Sequence, residues 1–482
     1  MAITIVGLGP GSVDDLTLRA WRALETAPVV YLRTERHPCV PHLPQGPVYR
    51  SFDDIYDRVE KFEDVYATIV ERLLDAAAQG DIVYAVPGDP LVAETTVTRL
   101  LAEARDAGIP VQLVNGVSFV EPTLALLGID ALDGLQLLDG LTVAQLHHPP
   151  INPDYPALLA QVYSRQVASD VKLTLMNEYD DDFRVALVHA AGTPAARVEW
   201  LPLFEIDRSE HIQHMTSLYV PARGGMSSFE QFQEIIAHLR APEGCPWDRK
   251  QTHESLRKYL LEETHEVLET IDAGDMEALQ EELGDLLLQI VLHTQIAVEE
   301  GDFHMGDVIS SINNKLVRRH PHVFGEINVS SAEEVVANWD ALKQQERAEK
   351  GTARESILDS VPKGLPALLQ AHEYQAKAAK PGFDWPVVDD VIAKVREEMD
   401  EVLAAQSADE RASEIGDLLF VIVNWARWLG VEPETALRQA NAKFYRRFRY
   451  IEQALAARGK PLAESNLEEM DALWNEAKAQ GL

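Results

Sequence analysis

In the first half of the chain, short β-branched runs alternate with longer stretches whose apolar residues recur at helical spacing. The β-branched runs predict buried strands at residues 3–6, 29–32, 82–86 and 111–114. Helix-like stretches lie between them at residues 16–24, 65–78 and 95–107. Strands and helices in alternation are typical of a mainly parallel sheet with helices on its faces. The pattern therefore predicts an N-terminal α/β domain.

The second half of the chain has helical periodicity throughout, and acidic residues fall on its apolar stripes. One predicted helix carries a stripe of Leu256, Leu260, Glu263, Val267 and Ile271. The next carries a predicted buried stripe of Leu279, Leu283, Leu286 and Ile290, with Glu282 and Asp285 on it or beside it. A carboxylate out of water costs several kcal/mol, so inward-pointing acids must be protonated, paired with bases or bound to cations. The alternative is a solvated acidic face, the commoner meaning of a lone Glu-Glu-x-x-Glu.

Glycine, serine and proline mark the predicted domain boundaries. Ala-Arg-Gly-Gly-Met-Ser-Ser at residues 222–228 separates the last predicted strand from the first helix of the helical half. Further punctuation lies at residues 350–352 and 361–366. These features predict an α/β domain at 1–222 and two all-α units at 223–350 and 351–482.

Charge and cysteine content narrow the range of partners. The formal net charge is −35, so the overall field repels nucleic acid polymers and anionic membranes. A small triphosphate remains compatible, because bound cations and a local basic cluster can reverse the potential within one cleft. Cys39 and Cys245 are the only cysteines, and no secretory leader precedes the first strand, which suggests a reducing cytoplasm.

The acidic pattern occurs twice, and each copy is followed by a basic cluster. Glu263 and Glu266 have the same spacing of three residues as Glu398 and Glu401, and Glu282 and Asp285 have the same spacing as Glu414 and Asp417. The basic clusters are Lys315, Arg318 and Arg319, then Lys443, Arg446 and Arg447. Acids on two helices with bases on a third indicate a site for a metal-bound triphosphate. The acids would hold Mg²⁺ or Mn²⁺, and Lys and Arg would hold phosphate oxygens.

At these residues the chain resembles the MazG family of nucleoside triphosphate pyrophosphohydrolases, of the all-α pyrophosphatase class. The resemblance covers about residues 225–482 and includes Gly244-Cys-Pro-Trp-Asp248, Gln251-Thr-His253 and the segment 315–324. It implies Mg²⁺-dependent hydrolysis of nucleoside triphosphates to monophosphate and pyrophosphate, with the eight repeated acids as metal ligands. In the best-known member the C-terminal repeat is implicated in activity, which implies that the second unit is indispensable here.

The remaining roles in this half follow from the chemistry of hydrolysis. A carboxylate outside the metal ligands, Glu262 or Glu397, could accept the proton of the attacking water. The basic clusters, headed by Lys315 and Lys443, would stabilise the departing pyrophosphate. Trp247 and Trp385 could stack on the base or merely pack at a domain edge, and both interpretations stay open.

Three glycine-containing loops follow predicted strands in the first half. Gly7-Leu-Gly9-Pro-Gly11 lacks the third glycine of the dinucleotide-binding fingerprint, so alone it could be a tight turn. Pro87-Gly-Asp-Pro90 and Asn115-Gly-Val-Ser-Phe119 follow two later strands. All three lie at carboxyl ends of strands, where open α/β sheets bind ligands.

Together these loops resemble the tetrapyrrole methylase family, the class III S-adenosylmethionine-dependent methyltransferases, over about residues 1–222. The resemblance implies two α/β halves with the cofactor between them, the second half at about 130–222 with further strand-like segments at 171–175, 184–189 and 218–221. The residues implied around the cofactor are Gly7, Gly9, Gly11, Pro87, Gly88, Asp89, Val92, Ser118, Phe119 and Met176. Leu91-Val-Ala replaces the aromatic-glycine step of corrin-synthesis members, which argues against a tetrapyrrole substrate.

The order of the two parts resembles the YabN-type fusion over the whole chain. The favoured function is a metal-dependent nucleoside triphosphate pyrophosphohydrolase fused to an S-adenosylmethionine-dependent methyltransferase domain. One alternative is a methyltransferase with a regulatory or inactive helical appendage, and another is a binding module whose sites have decayed. Helices with inward acids need a partner surface, so we also expect a homodimer through the helical half.

Overall fold

A computed structural model of the chain describes residues 2–56, 58, 62–325, 327, 329, 331, 334, 335, 338, 339, 342 and 356–482. It divides into two compact units, Met1–Lys250 and Gln251–Leu482, which are described separately below. The domain boundaries predicted at 222 and 350 stay predictions. The second of them, with the Lys350-Gly-Thr segment, lies outside the described residues.

The first unit opens with a five-stranded sheet in which every neighbouring pair of strands is parallel. Its strands are β1 Ile3–Gly7, β2 Val29–Leu32, β3 Val48–Ser51, β4 Ile82–Val86 and β5 Val111–Val114. The helices between and after them are α1 Leu18–Thr26, α2 Asp53–Tyr56, α3 Phe62–Ala77, α4 Thr95–Asp106 and α5 Val120–Leu127. The strand order is β3-β2-β4-β1-β5. The four strands predicted between residues 3 and 114 are thus confirmed.

Burial explains which strands could be found from the sequence. All five residues of β4 are buried, and separate apolar clusters cover the two faces of the sheet. A strand covered on both faces appears in the sequence as a continuous apolar run. Strand β3 was missed because it lies at the sheet edge, where its residues alternate between exposed and half-buried.

A second five-stranded sheet completes the α/β part of this unit. Its strands are β6 Gln136–Asp139, β7 Ala157–Ala160, β8 Arg184–His189, β9 Arg197–Pro202 and β10 Thr216–Val220, with helices α6 Gly140–Val143 and α7 Arg165–Leu175. The order is β6-β7-β10-β8-β9, and only the β6–β7 pair is parallel. Strands β8 and β10 confirm the segments predicted at 184–189 and 218–221.

The strand predicted at residues 171–175 is wrong, because this segment is the last part of α7. Val-Lys-Leu-Thr-Leu alternates like a strand, but Leu173 is exposed while Ala168, Val171 and Leu175 are buried against the second sheet. This spacing of three and four residues is helical. The Ser164 side chain caps the helix by accepting a hydrogen bond from the Val167 N–H. Met176 therefore follows a helix, not a strand.

The helical part begins with α8 Phe229–Arg240, which belongs to the first compact unit. The second unit contains α9 His253–Ala273, α10 Met276–Glu300, α11 Met305–Arg319, α12 Pro321–Phe324, α13 Ala367–Ala379, α14 Val388–Ala404, α15 Ala408–Trp428, α16 Pro433–Ala457 and α17 Leu467–Ala479. The sequence repeat becomes two helical hairpins, α9–α10 and α14–α15, each followed by a helix with a basic cluster. No described helix is long and apolar enough to cross a membrane.

The predicted buried stripe on α10 is only partly correct. Leu283 and Ile290 are exposed, and the buried face of the helix lies farther along, at Val291, Leu292 and Ile296. On α9, Leu256 and Val267 are buried as predicted, whereas Ile271 is exposed. The acid-bearing ends of this hairpin are therefore more open than the apolar pattern indicated, because the packing of α10 is concentrated in its C-terminal half.

Candidate functional site

The first acidic cluster forms where α9 faces α10. One carboxylate oxygen from each of Glu263, Glu266 and Glu282 lies within 4.8 Å of the others. Glu263 and Glu266 are neighbours because three residues make about one helical turn. Gly274, with φ of 68°, ends α9 and leaves a two-residue connection, which returns the chain as α10 and brings Glu282 opposite. Gln289 supports the cluster through its Nε2, which donates to Glu263 Oε1 at 3.5 Å.

The acids of the first cluster raise one another's pKa values. Desolvation and then the charges of Asp285 and Glu266 raise the pKa of Glu263 above its ordinary value. Desolvation and then Glu266 and Asp285 also raise the pKa of Glu282. Asp285 thus contributes to the electrostatics of the cluster, although it lies outside the tight group of three acids, and its role as a metal ligand stays a prediction. Ionising all four acids together is unfavourable unless a cation binds.

The second cluster has the same arrangement between α14 and α15. One oxygen from each of Glu398, Glu401 and Glu414 lies within 4.8 Å of the others. Glu398 is only 5% exposed, and its Oε2 is buried without a hydrogen-bond partner among the described residues. Desolvation and then the charge of Glu398 raise the pKa of Glu401. Asp417, the fourth predicted ligand, is exposed on α15 and lies outside this tight group.

The second cluster has a lysine beside it, Lys394, which the sequence analysis did not identify. The Lys394 ammonium lies 2.8 Å from Glu398 Oε1 and 2.9 Å from Glu397 Oε1. On α9, the position four residues before Glu263 is occupied by Tyr259. The spacing of four residues between Lys394 and Glu398 is the signal that could have found this pair. The second cluster therefore has a partial counter-charge that the first lacks at the equivalent position.

The predicted phosphate-binding residues lie on the third helix of each repeat. Lys315 and Arg318 are exposed on α11 and Arg319 is half-buried; on α16, Lys443 and Arg446 are exposed. Arg447 has a structural contact, because its Nε donates to the Leu482 carbonyl at 2.7 Å and its guanidinium lies 5.3 Å from the centre of the Trp474 ring. Arg447 thus ties α16 to the end of the chain.

The remaining predicted residues of the helical half are placed as follows. Glu262 and Glu397 are exposed, beside Glu263 and Glu398. Trp247 is exposed in the first compact unit, and Trp385 is half-buried. The loop at Trp385 is held to α15 by Asp384, which accepts from Arg427 Nη2 at 2.6 Å and from Trp428 Nε1 at 3.2 Å.

In the first compact unit, Met1–Lys250, the three glycine-containing loops that follow strands β1, β4 and β5 lie together. Gly9 and Gly88 exchange backbone hydrogen bonds of 3.2 and 2.8 Å, although they are far apart in sequence. A Cβ atom on Gly7 would lie 2.5 Å from the Gly88 carbonyl, and one on Gly116 would lie 2.4 Å from it. The Asp89 carboxylate locks the junction by accepting from the Asn115 side chain and the Gly116 N–H, both at 3.2 Å. Glycine is required here because backbone packs directly on backbone.

A cavity of about 580 Å³ opens beside this junction, between the carboxyl ends of strands from both sheets. Four of the predicted cofactor residues line it: Pro87, Gly88, Val92 and Phe119. Gly7, Gly9, Gly11, Asp89, Ser118 and Met176 do not line it. Asp89 joins the loops, and Ser118 donates to Glu121 at 2.6 Å. Of the predicted side chains, Val92 and Phe119 thus lie at the cavity, and the role of all these residues in cofactor binding stays a prediction.

Polar and strained residues at this cavity were missed by sequence reasoning. Arg33 forms an ion pair with the buried Glu94 and donates from Nε to the Tyr56 hydroxyl at 2.8 Å. Among described residues other than glycine, positive φ occurs only at Ala93, Gln161, Ala190 and Met226. Ala93 and Gln161 line the cavity, and Ala190 precedes Ala191, which also lines it. Such strain concentrates at ligand sites in proteins, which supports a binding role for the cavity.

Comparison with known proteins agrees with this two-part architecture. The model of the Tetrapyrrole (Corrin/Porphyrin) Methylases matches residues 2–207, and that of the MazG nucleotide pyrophosphohydrolase domain matches residues 251–324. The YabN protein of Bacillus subtilis (strain 168) is 45% identical over 99% of this chain and 98% of its own length. The chain belongs to the YabN family of methylase–MazG fusions.

Other relatives of this YabN-family chain match one part of it. A nucleoside triphosphate pyrophosphohydrolase of Escherichia coli (strain K12) is 46% identical over 53% of this chain and 98% of its own length. A uroporphyrin-III-C-methyltransferase structure from Thermus thermophilus covers 46% of this chain and 92% of its own, at 23% identity and a TM-score of 0.36.

The crowded acids of the first cluster lead to a prediction about stability. Because the folded state raises the pKa of Glu263 and Glu282, it binds more protons than the unfolded chain, and stability falls as pH rises above the ordinary value of 4.5. Glu263→Gln should therefore raise the thermal unfolding midpoint in chelator at pH 7, and the gain should disappear near pH 4. Added Mg²⁺ should raise the wild-type midpoint more than the variant's. The exposed Glu262→Gln is the control, and a lower midpoint for Glu263→Gln would contradict the prediction.

Proposed function

We propose that the helical half hydrolyses nucleoside triphosphates to monophosphate and pyrophosphate. The observation that carries the proposal is the repeated cluster of three carboxylates, each built by two facing helices. The proposal is also supported by the similarity of this half to pyrophosphohydrolases such as that of Escherichia coli. A regulatory appendage with decayed sites would not need to keep the same acids in both copies.

The donor set fits divalent metal ions. Oxygen atoms of carboxylates are the ligands that Mg²⁺ and Mn²⁺ prefer. The buried Glu398 Oε2 has no hydrogen-bond partner in the part of the chain that the structure describes, so it would be available to one. The first cluster would hold ions through Glu263, Glu266, Glu282 and Asp285. The second cluster would hold them through Glu398, Glu401, Glu414 and Asp417. Bound ions would supply charge neutralisation for the triphosphate and activation of water.

The chain's own residues would then complete the reaction. Water attacks the α-phosphorus, the bond from this phosphorus to the bridging oxygen breaks, and pyrophosphate leaves. Glu262 or Glu397, exposed beside the clusters, would accept the proton of the water. Lys315, Arg318, Lys443 and Arg446 would balance the charge of the departing pyrophosphate, while Arg447 would keep α16 in place.

The products of hydrolysis provide the direct test. Purified full-length protein with a panel of nucleoside triphosphates and Mg²⁺ or Mn²⁺ should release pyrophosphate and nucleoside monophosphate. Chelation should abolish the reaction, because four acids cannot bind a triphosphate without cations. Release of orthophosphate and diphosphate would contradict the proposal. No hydrolysis of any triphosphate would favour the alternative, a methyltransferase with a regulatory helical appendage.

We further propose that the second acidic cluster is indispensable and the first auxiliary. Glu398 is more buried than its counterpart Glu263, and Lys394 holds one of its oxygens in place, so this cluster is the better ordered. Preorganised ligands contribute most to a transition state.

Matched substitutions separate the two clusters. Removing one ligand from a preorganised metal site should reduce the rate by about a hundredfold. Glu398→Gln should therefore abolish most pyrophosphate release, whereas Glu263→Gln should leave much of it. Circular dichroism of both variants controls for folding. The reverse order would assign catalysis to the first cluster, and about half of the activity in each variant would indicate two independent sites.

Exposed apolar residues on both hairpins support a homodimer. Leu283, Leu287 and Ile290 on α10 are exposed, and so are Ile415, Leu419 and Ile422 at the equivalent positions of α15. Helix α11 adds Ile309, Ile312 and Leu316. A face repeated in this way, with its apolar positions one turn apart, is suited to a second copy of the same helices. We therefore propose a dimer through the helical half.

Light scattering tests this assembly at micromolar concentration. The wild type should have about twice the chain mass of 53.7 kDa. Leu287→Glu with Leu419→Glu should shift the mass towards the monomer, because each places a charge in an apolar interface. The exposed Leu403→Glu, at the end of α14, is the control. A monomeric wild type would exclude an obligate dimer.

We also propose that the cavity in the first unit binds S-adenosylmethionine and supports methyl transfer. The support comes from the methylase-family match, the three-loop junction and the strained backbone beside the cavity. Gly7 and Gly116 would hold the Gly88 loop at the cavity edge, while Val92 and Phe119 would provide apolar contact to the cofactor.

Calorimetry with S-adenosylmethionine and S-adenosylhomocysteine tests cofactor binding. Val92→Trp should weaken binding by about tenfold or more, since it adds bulk to a cavity wall. Leu132→Trp, at a position 92% exposed and away from the cavity lining, should bind like the wild type. Absence of binding heat and of a thermal shift with either compound would contradict the proposal.

A further inference from the structure

A chain of hydrogen bonds in the first compact unit connects a residue of the cavity wall, Thr216, with the partly exposed Glu199. Thr216 lines the cavity, and its Oγ1 lies 3.0 Å from His189 Nδ1. On the other side of the ring, Nε2 lies 3.3 Å from Glu199 Oε2. Ser209 donates to the same carboxylate oxygen at 2.6 Å. His189 is 2% exposed, whereas the Glu199 side chain is 27% exposed.

The partners fix the tautomer of His189. Glu199 accepts from Ser209 and, as a carboxylate, can only accept from Nε2 as well, so the ring proton is on Nε2. Thr216 Oγ1 already accepts from the Gln213 N–H at 2.9 Å, so its own hydroxyl hydrogen is directed to Nδ1. The bare Nδ1 of a neutral imidazole therefore faces the hydroxyl of a cavity residue.

Electrostatics keep these groups in the charge states that a proton acceptor needs. Burial lowers the pKa of His189 below its ordinary value, although the hydrogen bond to Glu199 opposes this. Burial raises the pKa of Glu199, but the hydrogen bonds from Ser209 and His189 outweigh it and leave the pKa low. The other titratable neighbours are His211, whose ring is 5.9 Å away edge-on, and Arg197.

Packing alone does not account for this group. The same face of the second sheet is otherwise filled by apolar residues such as Leu187 and Leu218, and an apolar pair could fill the same space. His189 is instead followed directly by Ala190, one of the residues with positive φ. The strained Ala190 and the buried polar chain thus lie next to two residues of the cavity wall, Ala191 and Thr216, and strain of this kind clusters at functional sites.

We propose that Thr216, His189 and Glu199 form a relay that removes the proton from the methyl acceptor. The inference rests on methyl transfer at this cavity as proposed above, with an acceptor that carries its proton on a nitrogen, oxygen or sulfur atom. As the acceptor attacks, the bond from the methyl carbon to sulfur breaks and its electron pair stays on sulfur. The acceptor's proton passes to Thr216 Oγ1 while Thr216 gives its own to His189 Nδ1, and Glu199 stabilises the imidazolium.

Nuclear magnetic resonance of full-length protein labelled with ¹⁵N-histidine tests the relay without knowledge of the acceptor. His189→Gln assigns the signal, and S-adenosylhomocysteine is the probe. At pH 7 the ring should be the neutral Nε2–H tautomer, and saturating probe should shift the Nδ1 resonance. Exchange of the Nε2 proton with solvent should be severalfold slower in Thr216→Val and restored in Thr216→Ser.

Calorimetry on the same samples separates the outcomes. Thr216→Val, at a probe concentration that calorimetry shows to saturate this variant, should lose the shift of the His189 Nδ1 resonance. A His189 Nδ1 resonance that does not shift when the probe binds, or that shifts equally in Thr216→Val, would overturn the relay and leave cofactor binding intact. A probe that does not bind at all would overturn cofactor binding, and the relay with it.

Discussion

Mutual repulsion among carboxylates is the constraint on which the helical half depends. Three acids whose oxygens lie within 4.8 Å raise the free energy of the folded chain unless a cation is present. The hairpins hold the acids there because their apolar residues pack farther along the helices, at positions such as Val291 and Leu292. Packing at one end of the hairpin thus maintains an unfavourable charge arrangement at the other, which a bound cation would relieve.

The two hairpins resolve this constraint differently. In the second, the Lys394 ammonium contacts Glu398 and Glu397, and Glu398 is buried. In the first, Tyr259 stands at the equivalent position. A duplicated unit can diverge in this way because one substitution changes the local charge without changing the helical packing. The asymmetry is the physical basis for expecting unequal roles.

The first unit depends on a different constraint, the close approach of three backbone loops. Gly7 and Gly116 leave no room for side chains, Gly88 has a φ of +66°, and Asp89 joins the loops through side-chain hydrogen bonds. The junction positions one wall of the cavity, while Thr216 of β10 and Gln161, the residue after β7, contribute to the other. A cavity built from two sheets can combine an apolar surface for a cofactor with polar groups from elsewhere in the chain.

The sequence by itself determined whatever is local. The acids three residues apart, their exact repetition and the glycine loops after buried strands are visible without a structure, because helical and strand periodicities fix which neighbours share a face. Local pattern misled at residues 171–175, where the alternation of a short segment was overruled by the packing of α7 on a sheet. Only the tertiary structure joined Thr216, His189 and Glu199, which lie on three strands. Their meeting depends on the register of β8 with β9 and β10, and long-range pairing of this kind leaves no periodic signal in the sequence.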